Sequence, residues 1–446
     1  MRKILFIFFT ILISTCFYEE TISYRLDSST PQQDEVTESD DVKYVPTSNV
    51  GYEFKFVFPP NLTQNGQKYI NIASTKNTDY KLFLPNGSVD NGSIAPYEVK
   101  RIDFASTLEV STGKETGTVI KLEADNPIIA YAIHQHRVGG SSTDAYTLIP
   151  TRNLGTGYVI SSYEPCVNSP QSSSCVHIPS SFTVISPDKT SNITIQYPDN
   201  TSESISLNDN ESYTVESLSD LSGTFVQSDQ KIAVFSGSKC INIPIDYLAC
   251  DMIYEQMLPI SSWKKEFLTY PISTRTNGDT IRIYSSENDT TVSLNNQIID
   301  SDLDIGEFWQ TNNQSSAALI TSDKPIMTVQ YSNSATYDST NSDPFMMVIP
   351  GVDQYLDEYI FSTPPTGFSV HYVNIIHPQT NLSTLKLDNT SISSSFSNIP
   401  NSTYAGASIQ ISAGSHVIKS DNKFGIFVYG FYTNEGYGYP GGFDLE

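Results

Sequence analysis

His134 and His136 are the residues whose spacing fits a metal site most directly. Side chains two residues apart on a β-strand face the same side, and imidazoles are common ligands of zinc and iron. A third ligand would have to come from a more distant histidine, and none of the others lies in a supporting motif. We therefore predict no cofactor and interpret the pair by default as ordinary side chains at the edge of a loop, with His134 and His136 as the remaining metal candidates.

Catalytic patterns are sparse in this chain. Ser236 lies in the run Phe235-Ser236-Gly237-Ser238, but a nucleophile elbow needs a G-x-S-x-G pattern followed by a helix. The paired carboxylates of a glycosidase would have to come together from distant parts of the chain. The sequence therefore favours a binding protein over an enzyme, with a carbohydrate-active enzyme on a β-sandwich as the alternative.

Calcium is a further possibility, because four loops rich in Ser, Gly or Asn are each followed by an aspartate. These residues are Asp144, Asp251, Asp343 and Asp444. Acidic loops between extracellular modules can hold calcium through carboxylate and carbonyl oxygens. No EF-hand pattern is present, and an Asp that caps its own turn is the competing interpretation.

The amino terminus is typical of a signal peptide, since Met-Arg-Lys precedes an apolar run from Ile4 to Phe17. We predict a signal peptide at 1–16, a flexible acidic leader at 17–43 and a secreted protein. A bacterial lipoprotein box at 13–16 is the rival interpretation, which Thr15 fits poorly. No later apolar run reaches the length of a membrane helix. The net charge of −24 argues against nucleic acid as a partner.

Four cysteines remain after removal of the predicted signal peptide: Cys166, Cys175, Cys240 and Cys250. An even number in an exported chain indicates disulfides. Three connectivities are possible, and the sequential one, Cys166–Cys175 with Cys240–Cys250, closes two short loops. A zinc site is the competing interpretation, but the spacing lacks the tight pairs that zinc sites use.

Asn-x-Ser/Thr sequons are frequent, and in an exported chain they predict glycosylation. The candidate asparagines are Asn61, Asn86, Asn91, Asn192, Asn200, Asn210, Asn288, Asn313, Asn381, Asn389 and Asn401.

The chain repeats itself four times. One recurring mark is an apolar residue and a proline before an aromatic strand, with prolines at Pro46, Pro150, Pro259 and Pro350. A second is an Asp turn that opens an apolar strand, as in DNPIIAYAI and DNKFGIFVYG. Alternating polarity and regular turn residues indicate short β-strands. We predict an all-β tandem array of four related β-sandwich modules, at 44–149, 150–258, 259–349 and 350–446, each large enough to bury a core.

Three runs carry a resemblance to a known family: DAYTLIPTRNLGTGYVISSY, SGSKCINIPIDYLACDMIYEQMLPISSWKKEF and SDPFMMVIPGVDQY. Their sequence resembles the N-terminal domain family of IgGFc-binding protein, over a region from near Gly51 to about residue 435. The resemblance implies an extracellular role in mucus, matrix or cell-surface contacts, and the family name comes from binding immunoglobulin Fc. Larger members add von Willebrand factor D-type modules, which this sequence lacks. The resemblance supplies no catalytic residues.

We therefore predict a secreted adhesion or matrix glycoprotein that binds an extracellular protein or glycan through loops on a β scaffold, without a membrane span. The comparable loops of the four modules are 134–143, 237–250, 331–342 and 432–443. None contains a sequon, and tyrosine with small polar neighbours suits contacts with a partner. The candidate binding residues are Arg137, Tyr247, Tyr331 and Tyr337. The competing interpretation makes these loops plain connectors between modules.

Overall fold

The computed structural model describes residues 48–62, 66–135, 142–166, 177–340 and 342–445, all within one compact unit. The predicted signal peptide and leader lie outside these residues. Strands account for 59% of the described residues and helices for 5%, which confirms the all-β prediction. None of the described helices is long and apolar enough to cross a membrane.

The strands form four antiparallel sheets. The first part of the chain contains β1 (Gly51–Phe56), β2 (Gln67–Ala73), β3 (Thr78–Phe83), β4 (Val89–Ile94), β5 (Val99–Phe104), β6 (Gly113–Thr116), β7 (Ile120–Gln135) and β8 (Thr143–Thr147). Then follow β9 (Gly155–Val159), β10 (Ser180–Ile185), β11 (Ser191–Gln196), β12 (Ser202–Leu207), β13 (Glu211–Ser217), β14 (Phe225–Ile241) and β15 (Asp251–Gln256).

The third sheet contains β16 (Lys264–Thr269), β17 (Asp279–Ser285), β18 (Thr290–Leu294), β19 (Gln297–Leu303), β20 (Phe308–Gln314), β21 (Ala318–Ser332) and β22 (Phe345–Ile349). The fourth contains β23 (Leu356–Thr363), β24 (Val370–Pro378), β25 (Lys386–Leu387), β26 (Thr390–Ser391), β27 (Ser397–Asn398), β28 (Tyr404–Ile411), β29 (Gly414–Tyr432) and β30 (Glu435–Pro440). The helical segments are α1 (Ala335–Asp338) and 3-10 turns at Thr151–Asn153, Ile260–Ser262, Val352–Gln354, Leu382–Thr384 and Ser393–Ser395.

Each module is organised by one long strand: β7, β14, β21 or β29. In the first module the early half of β7 pairs with β1 and β3, and its late half pairs with β2 and β8. The other three modules repeat this arrangement. The long strand therefore passes from one layer of strands to the other. Its late half is apolar on both faces, as expected where both faces are covered.

Two further contacts join the modules: one strand pairs with the sheet of the next module, and the first module contacts the fourth. Strand β6 follows β5 in the chain but pairs with β13 at the edge of the second sheet. At the other end of the chain, Ser48 forms a β-bridge with Asp444. The N–H of Asn49 donates to the carbonyl of Phe443 at 2.8 Å, and the N–H of Phe443 donates to the Asn49 side chain at 3.0 Å. The start of the first module is thus fastened to the end of the fourth.

The last strands of the four modules, β8, β15, β22 and β30, form what we call the axial ring. Strand β8 contacts β15 and β30, and β22 contacts the same two strands, so the modules close around a common axis in chain order. Glycines allow the close approach: a Cβ on Gly436 would lie 2.4 Å from the carbonyl oxygen of Asp343, and one on Gly438 would lie 2.3 Å from the Phe345 ring.

The apolar core crosses the module boundaries. Each of the three clusters of buried apolar residues draws on at least two modules, and the second joins the first module to the fourth, as where Tyr131 packs at 4.7 Å from Tyr439. The expectation that each module buries a core of its own therefore needs correction. Twelve tyrosines are fully buried, and many donate their hydroxyl to a backbone carbonyl, as Tyr146 does to Val57 at 3.0 Å.

Candidate functional site

His134 is the last residue but one of β7 and is fully buried. Its Nε2 lies 3.0 Å from Oε1 of Glu109, and Nζ of Lys68 lies 2.7 Å from the same oxygen. Burial opposes the charge on Glu109, but its contacts with His134 and Lys68 lower its pKa on balance. Glu109 and Lys68 therefore give His134 a buried, charged environment within the fold. His136 lies outside the described residues.

Asp144 lies in the axial ring, fully buried, and its carboxylate joins all four modules. Oδ1 accepts the N–H of Ala145 at 2.8 Å and of Gly438 at 3.3 Å, and Oδ2 accepts those of Tyr254 at 3.0 Å and Met346 at 3.3 Å. Inner strand edges around an axis cannot all pair with one another, and buried N–H groups need acceptors. Burial raises the pKa of Asp144, and the four N–H donors oppose that rise.

Three further carboxyl groups, one from each of the other modules, lie near one another where the later ring strands begin. Asp251 accepts the N–H of Thr143 at 2.6 Å and of Gly436 at 3.0 Å, and Glu435 accepts the Thr143 hydroxyl. Asp343 is 1% exposed, and neither carboxylate oxygen has a hydrogen-bond partner among the described residues. Burial raises the pKa of Asp343 and of Glu435 to about 7.

These aspartates are therefore parts of the ring and not of exposed calcium loops. Among the described residues, no group of three or more His, Cys, Asp or Glu side chains is arranged to hold a metal ion. Asp444 lies at the junction of the chain ends, where its carboxylate is 3.0 Å from Nζ of Lys423.

Two of the predicted binding loops include strand residues. Tyr331 belongs to β21 and is fully buried, with its hydroxyl donating to the carbonyl of Ser162 at 2.9 Å, so it is not a binding-loop residue. The Gly/Tyr-rich run of 432–443 is largely β30, where Tyr437 and Tyr439 are buried. Alternating Gly and Tyr reflects close strand packing here and not a flexible loop. Arg137 lies outside the described residues.

In the second module a loop at 242–250 connects β14 to β15. A disulfide joins Cys240 to Cys250 at its base, the pairing that the cysteine spacing led us to expect. Cys166 lies in the described part of the chain, and Cys175 lies outside it.

Sequon asparagines differ in exposure. Ten of the eleven are exposed, whereas Asn61 is 5% exposed and its amide nitrogen donates to the carbonyl of Ser142 at 2.9 Å. A glycan on that nitrogen is incompatible with this packing, so Asn61 is withdrawn from the predicted glycosylation sites.

A cleft of about 810 Å³ lies between the second and third modules. We call it the module 2–3 cleft. The second module contributes the turn after β13, the segment that precedes Cys166 and the disulfide-closed loop, and the third contributes β17 and β20. Its lining residues are Tyr163, Glu164, Pro165, Leu218, Ser219, Asp220, Pro244, Ile245, Asp246, Arg282, Phe308, Gln310 and Asn312.

Arg282 forms the floor of the module 2–3 cleft. Its guanidinium lies 4.2 Å from the ring centres of both Tyr163 and Phe308. Nη1 donates to Ser222 Oγ at 2.7 Å and lies 3.4 Å from Asp220 Oδ2. Burial works against the charge, but the field of Tyr284 and Asp220 outweighs it and raises the pKa of Arg282. The floor is therefore rigid and permanently charged.

The rim of the cleft continues into a pair of tyrosines from two modules. Tyr247, on the loop 242–250, is 38% exposed and packs edge-to-face on Tyr337 of α1 with ring centres 4.7 Å apart. The N–H of Leu248 donates to Thr336 Oγ1 at 2.7 Å, and the N–H of Thr336 donates to the Leu248 carbonyl at the same distance. Two predicted binding residues thus lie together beside the cleft.

Sequence reasoning missed the floor of this cleft. In β17, Arg282 lies between Ile281 and Ile283, and alternation along a strand puts its side chain on the opposite face from the two isoleucines. This charged side chain within an apolar strand was the signal that the sequence offered. The residues that surround it come from five separate segments, and a one-dimensional pattern does not bring them together.

A family model described as IgGFc binding protein matches residues 144–430, which is more than half of the chain. The chain belongs to the IgGFc binding protein family. The predicted resemblance is therefore confirmed. The match begins in β8 and ends in β29, so it includes every residue of the module 2–3 cleft, while most of the first module lies outside it.

Two individual proteins are similar to parts of the chain. The human protein named IgGFc-binding protein is 22% identical over 231 residues, which cover 50% of this chain and 4% of that much longer protein. A solved structure described as a tetra-tandem repeat in the extending region of a large adhesion protein aligns with 87% of this chain and 98% of its own, at 9% identity and a TM-score of 0.11. A likeness at that level says nothing about fold or function.

Proposed function

We propose that this protein is a secreted glycoprotein of the matrix, mucus or cell surface that binds an extracellular protein through the module 2–3 cleft. Membership of a binding-protein family supports the general role. The observation that carries the proposal is the cleft itself, because its volume suits a ligand and its lining includes the apolar side chain of Leu218, which is 48% exposed.

The distribution of sequons supports the same surface. None of the eleven sequon asparagines lines the cleft. Asn313 follows the lining residue Asn312 in β20, and successive side chains of a strand point to opposite faces. Glycans would therefore cover other surfaces and leave this one open to a partner.

The enzyme alternative receives less support from the cleft. Hydrolysis of a glycosidic bond needs two carboxyl groups that flank the bond to be cleaved. Asp220 is occupied by its ion pair with Arg282, and Glu164 and Asp246 are exposed on separate loops. Arg282 with its stacked rings forms a binding surface, and the described lining residues supply no histidine.

Secretion and glycosylation are tested by expressing the full chain in a glycosylating secretory host. We expect protein in the medium that begins near Phe17 and loses mass on treatment with peptide N-glycosidase. Protein that stays inside the cells with residues 1–16 attached would contradict this part of the proposal.

The binding site is tested by placing a glycan at the cleft with one substitution. Ser217→Asn creates the sequon Asn-Leu-Ser across the exposed Leu218. The matched control adds Ser219→Ala, which keeps the asparagine and removes the sequon. Both proteins and the wild type are used to capture partners from native extracellular material and to bind purified immunoglobulin Fc, the ligand that the family name suggests.

We expect the glycan-bearing variant to lose the partner that the wild type and the control retain. A partner captured equally by all three proteins would refute the cleft as the site. Comparison with purified Fc shows separately whether Fc is that partner, because Fc binding that is blocked only by the glycan would identify it directly.

A further inference from the structure

We propose that the module 2–3 cleft receives a lysine or arginine side chain from an extended segment of the partner protein. This inference rests on the proposed function and adds the chemistry of the ligand. It follows from three properties of the cleft: its charge balance, the hydrogen bonds of its floor and its apolar wall.

The charge balance of the lining is negative. Glu164, Asp220 and Asp246 supply three carboxylates, against the single guanidinium of Arg282. Asp220 and Arg282 neutralise each other at 3.4 Å. Glu164 and Asp246, both exposed, therefore remain as the two uncompensated charges on the rim. A cleft lined by charges of one sign focuses its field and selects ligands of the opposite sign.

The floor of the cleft is poorly suited to bind an anion, even though it contains an arginine. Nε of Arg282 donates to Gln310 at 2.7 Å, and Nη1 donates to the carbonyl of Ser162 at 3.0 Å as well as to Ser222. The rings of Tyr163 and Phe308 also lie 4.2 Å from the guanidinium. An anion that took Nε or Nη1 would have to break these hydrogen bonds and would face the carboxylates of the lining, so we assign the choice of ligand to the rim and not to Arg282.

The wall supplies the surface that a long cationic side chain needs. Lysine and arginine lay their methylene stems along apolar groups while the charged end stays near water or a carboxylate. Leu218, which is exposed, and Ile245, which is half-buried, offer such a surface in the lining that also contains the rim carboxylates. The volume of about 810 Å³ lies in the range of ligand sites and exceeds one side chain, so flanking residues of the partner segment also enter.

A second cleft of about 490 Å³, between the third and fourth modules, provides the contrast. Its lining is mainly Ser, Pro and Asn, and the one charged residue in it is Arg275. Asn401, an exposed sequon asparagine, directly follows the lining residue Pro400. The acidic rim is thus particular to the module 2–3 cleft and does not follow from the repeat.

The experiment uses a display library of random peptides of about twelve residues, selected in parallel on three glycosylated full-length proteins. These are the wild type, the double variant Glu164→Gln/Asp246→Asn, and the control Asp302→Asn/Asp357→Asn. The control removes two exposed carboxylates outside the cleft, and none of the substitutions creates a sequon. The most enriched peptide is then measured by fluorescence anisotropy at two salt concentrations.

We expect peptides enriched in Lys or Arg on the wild type and on the control. Their affinity should fall about tenfold on the cleft variant and should decrease with salt, because two exposed ion pairs are lost. Replacing the key basic residue of the peptide by Gln should have the same effect. Enriched peptides without a basic residue, equal affinity for all three proteins, or binding of a neutral glycan array in place of peptides would each overturn the inference.

The two proposals fail in distinguishable ways. If the glycan carried by the Ser217→Asn variant blocks the native partner while Glu164→Gln/Asp246→Asn does not, the cleft binds its partner without a cationic side chain. The further inference is then wrong and the proposed function stands. If the glycan has no effect, the proposed function is itself refuted.

Discussion

The axial ring collects carboxyl groups from all four modules, whereas the module 2–3 cleft takes its carboxyl groups from the second module alone, and the two regions use them in opposite ways. In the ring, Asp144 accepts four backbone N–H groups and is fully buried. At the cleft rim, Glu164 and Asp246 remain exposed. Carboxyl groups that accept hydrogen bonds within the fold hold the modules together, whereas exposed carboxyl groups at the concave surface are available to bind a partner.

The same contrast explains why the loop prediction was only partly right. The repeat identified equivalent segments of the modules, but these segments build different structures. The segment of the fourth module continues into β30 of the ring, whereas the loop 242–250 and α1 of the third module meet through Tyr247 and Tyr337. The equivalent segments of the repeat therefore predicted where the axial ring lies more accurately than where the binding site lies.

Among the substitutions considered, loss of the Asp144 carboxylate should lower the free energy of unfolding the most. Asp144→Ala leaves four buried N–H groups without their acceptor, and we expect a loss on the order of 4 kcal/mol in the free energy of unfolding. Urea denaturation measures it, with the exposed Asp302→Ala as control, for which we expect a change within about 0.5 kcal/mol. Equal stability of the two variants would show that the carboxylate does not hold the modules together.

The cleft should depend on the disulfide at the base of its loop. Replacing Cys240 and Cys250 together by Ser should lower the free energy of unfolding by about 2–3 kcal/mol, because a short closed loop is released. Partner binding should fall as well, since Pro244, Ile245 and Asp246 lie on that loop. Calorimetry and the capture assay measure the two effects. Full binding by the double variant would separate the loop from the site.

The carboxyl cluster of the ring predicts a pH dependence. The folded-state pKa of Asp343 and Glu435 is about 7, above the ordinary value of about 4. Between these values the folded protein binds more protons than the unfolded chain, so stability falls as pH rises from about 4 to about 7. Arg275 and the Thr143 hydroxyl face this cluster and moderate the effect.

Asp343→Asn sharpens that test, because it removes the carboxyl group without a hydrogen-bond partner among the described residues. We expect it to raise the free energy of unfolding by about 2 kcal/mol at pH 8 and to change it little at pH 4.5. Melting temperatures across this range measure the difference. A variant that parallels the wild type at every pH would show that Asp343 does not titrate as described.

The smallest expected effect concerns the tyrosine pair at the rim. Tyr247 and Tyr337 should couple by about 1 kcal/mol in a double-mutant cycle with Ser at each position. Thermal unfolding gives the cycle, and Tyr432→Ser is the control because Tyr432 is similarly exposed in another module. Additive effects of the two substitutions would mean that the pair does not brace the loop.

Much of the fold follows from local patterns in the sequence. Alternation predicted strands such as β1 and β11, and the Asp turns marked the long strands that organise each module. The closure of the ring did not, because it depends on contacts between β8 and β30 across nearly the whole chain. The run Gly436-Tyr437-Gly438-Tyr439 has the composition of a loop, and only the packed neighbours show that its glycines permit a close strand contact.

The candidate site was less accessible to sequence than the fold. Tyr247 and Tyr337 were named as binding residues, but Leu218, Arg282 and the rim carboxylates were not. Arg282 reads as one side chain of an alternating strand, and its role depends on Tyr163 and Ser222 from another module. The five segments that line the cleft come together through packing, and the periodicity of the local sequence carries no information about that packing.

The most direct test of the central claim is a photo-crosslinking amino acid placed at Leu218, in the cleft, or at Ile298, on β19. Ile298 is 68% exposed against 48% for Leu218 and does not line the cleft, so it is the more accessible control. Both proteins are irradiated in native extracellular material, and crosslinked proteins are identified by mass spectrometry with excess unlabelled chain as competitor. We predict one competed partner at position 218 and none at 298; the same proteins at both positions, or a competed partner at 298 alone, would contradict the cleft as the binding site.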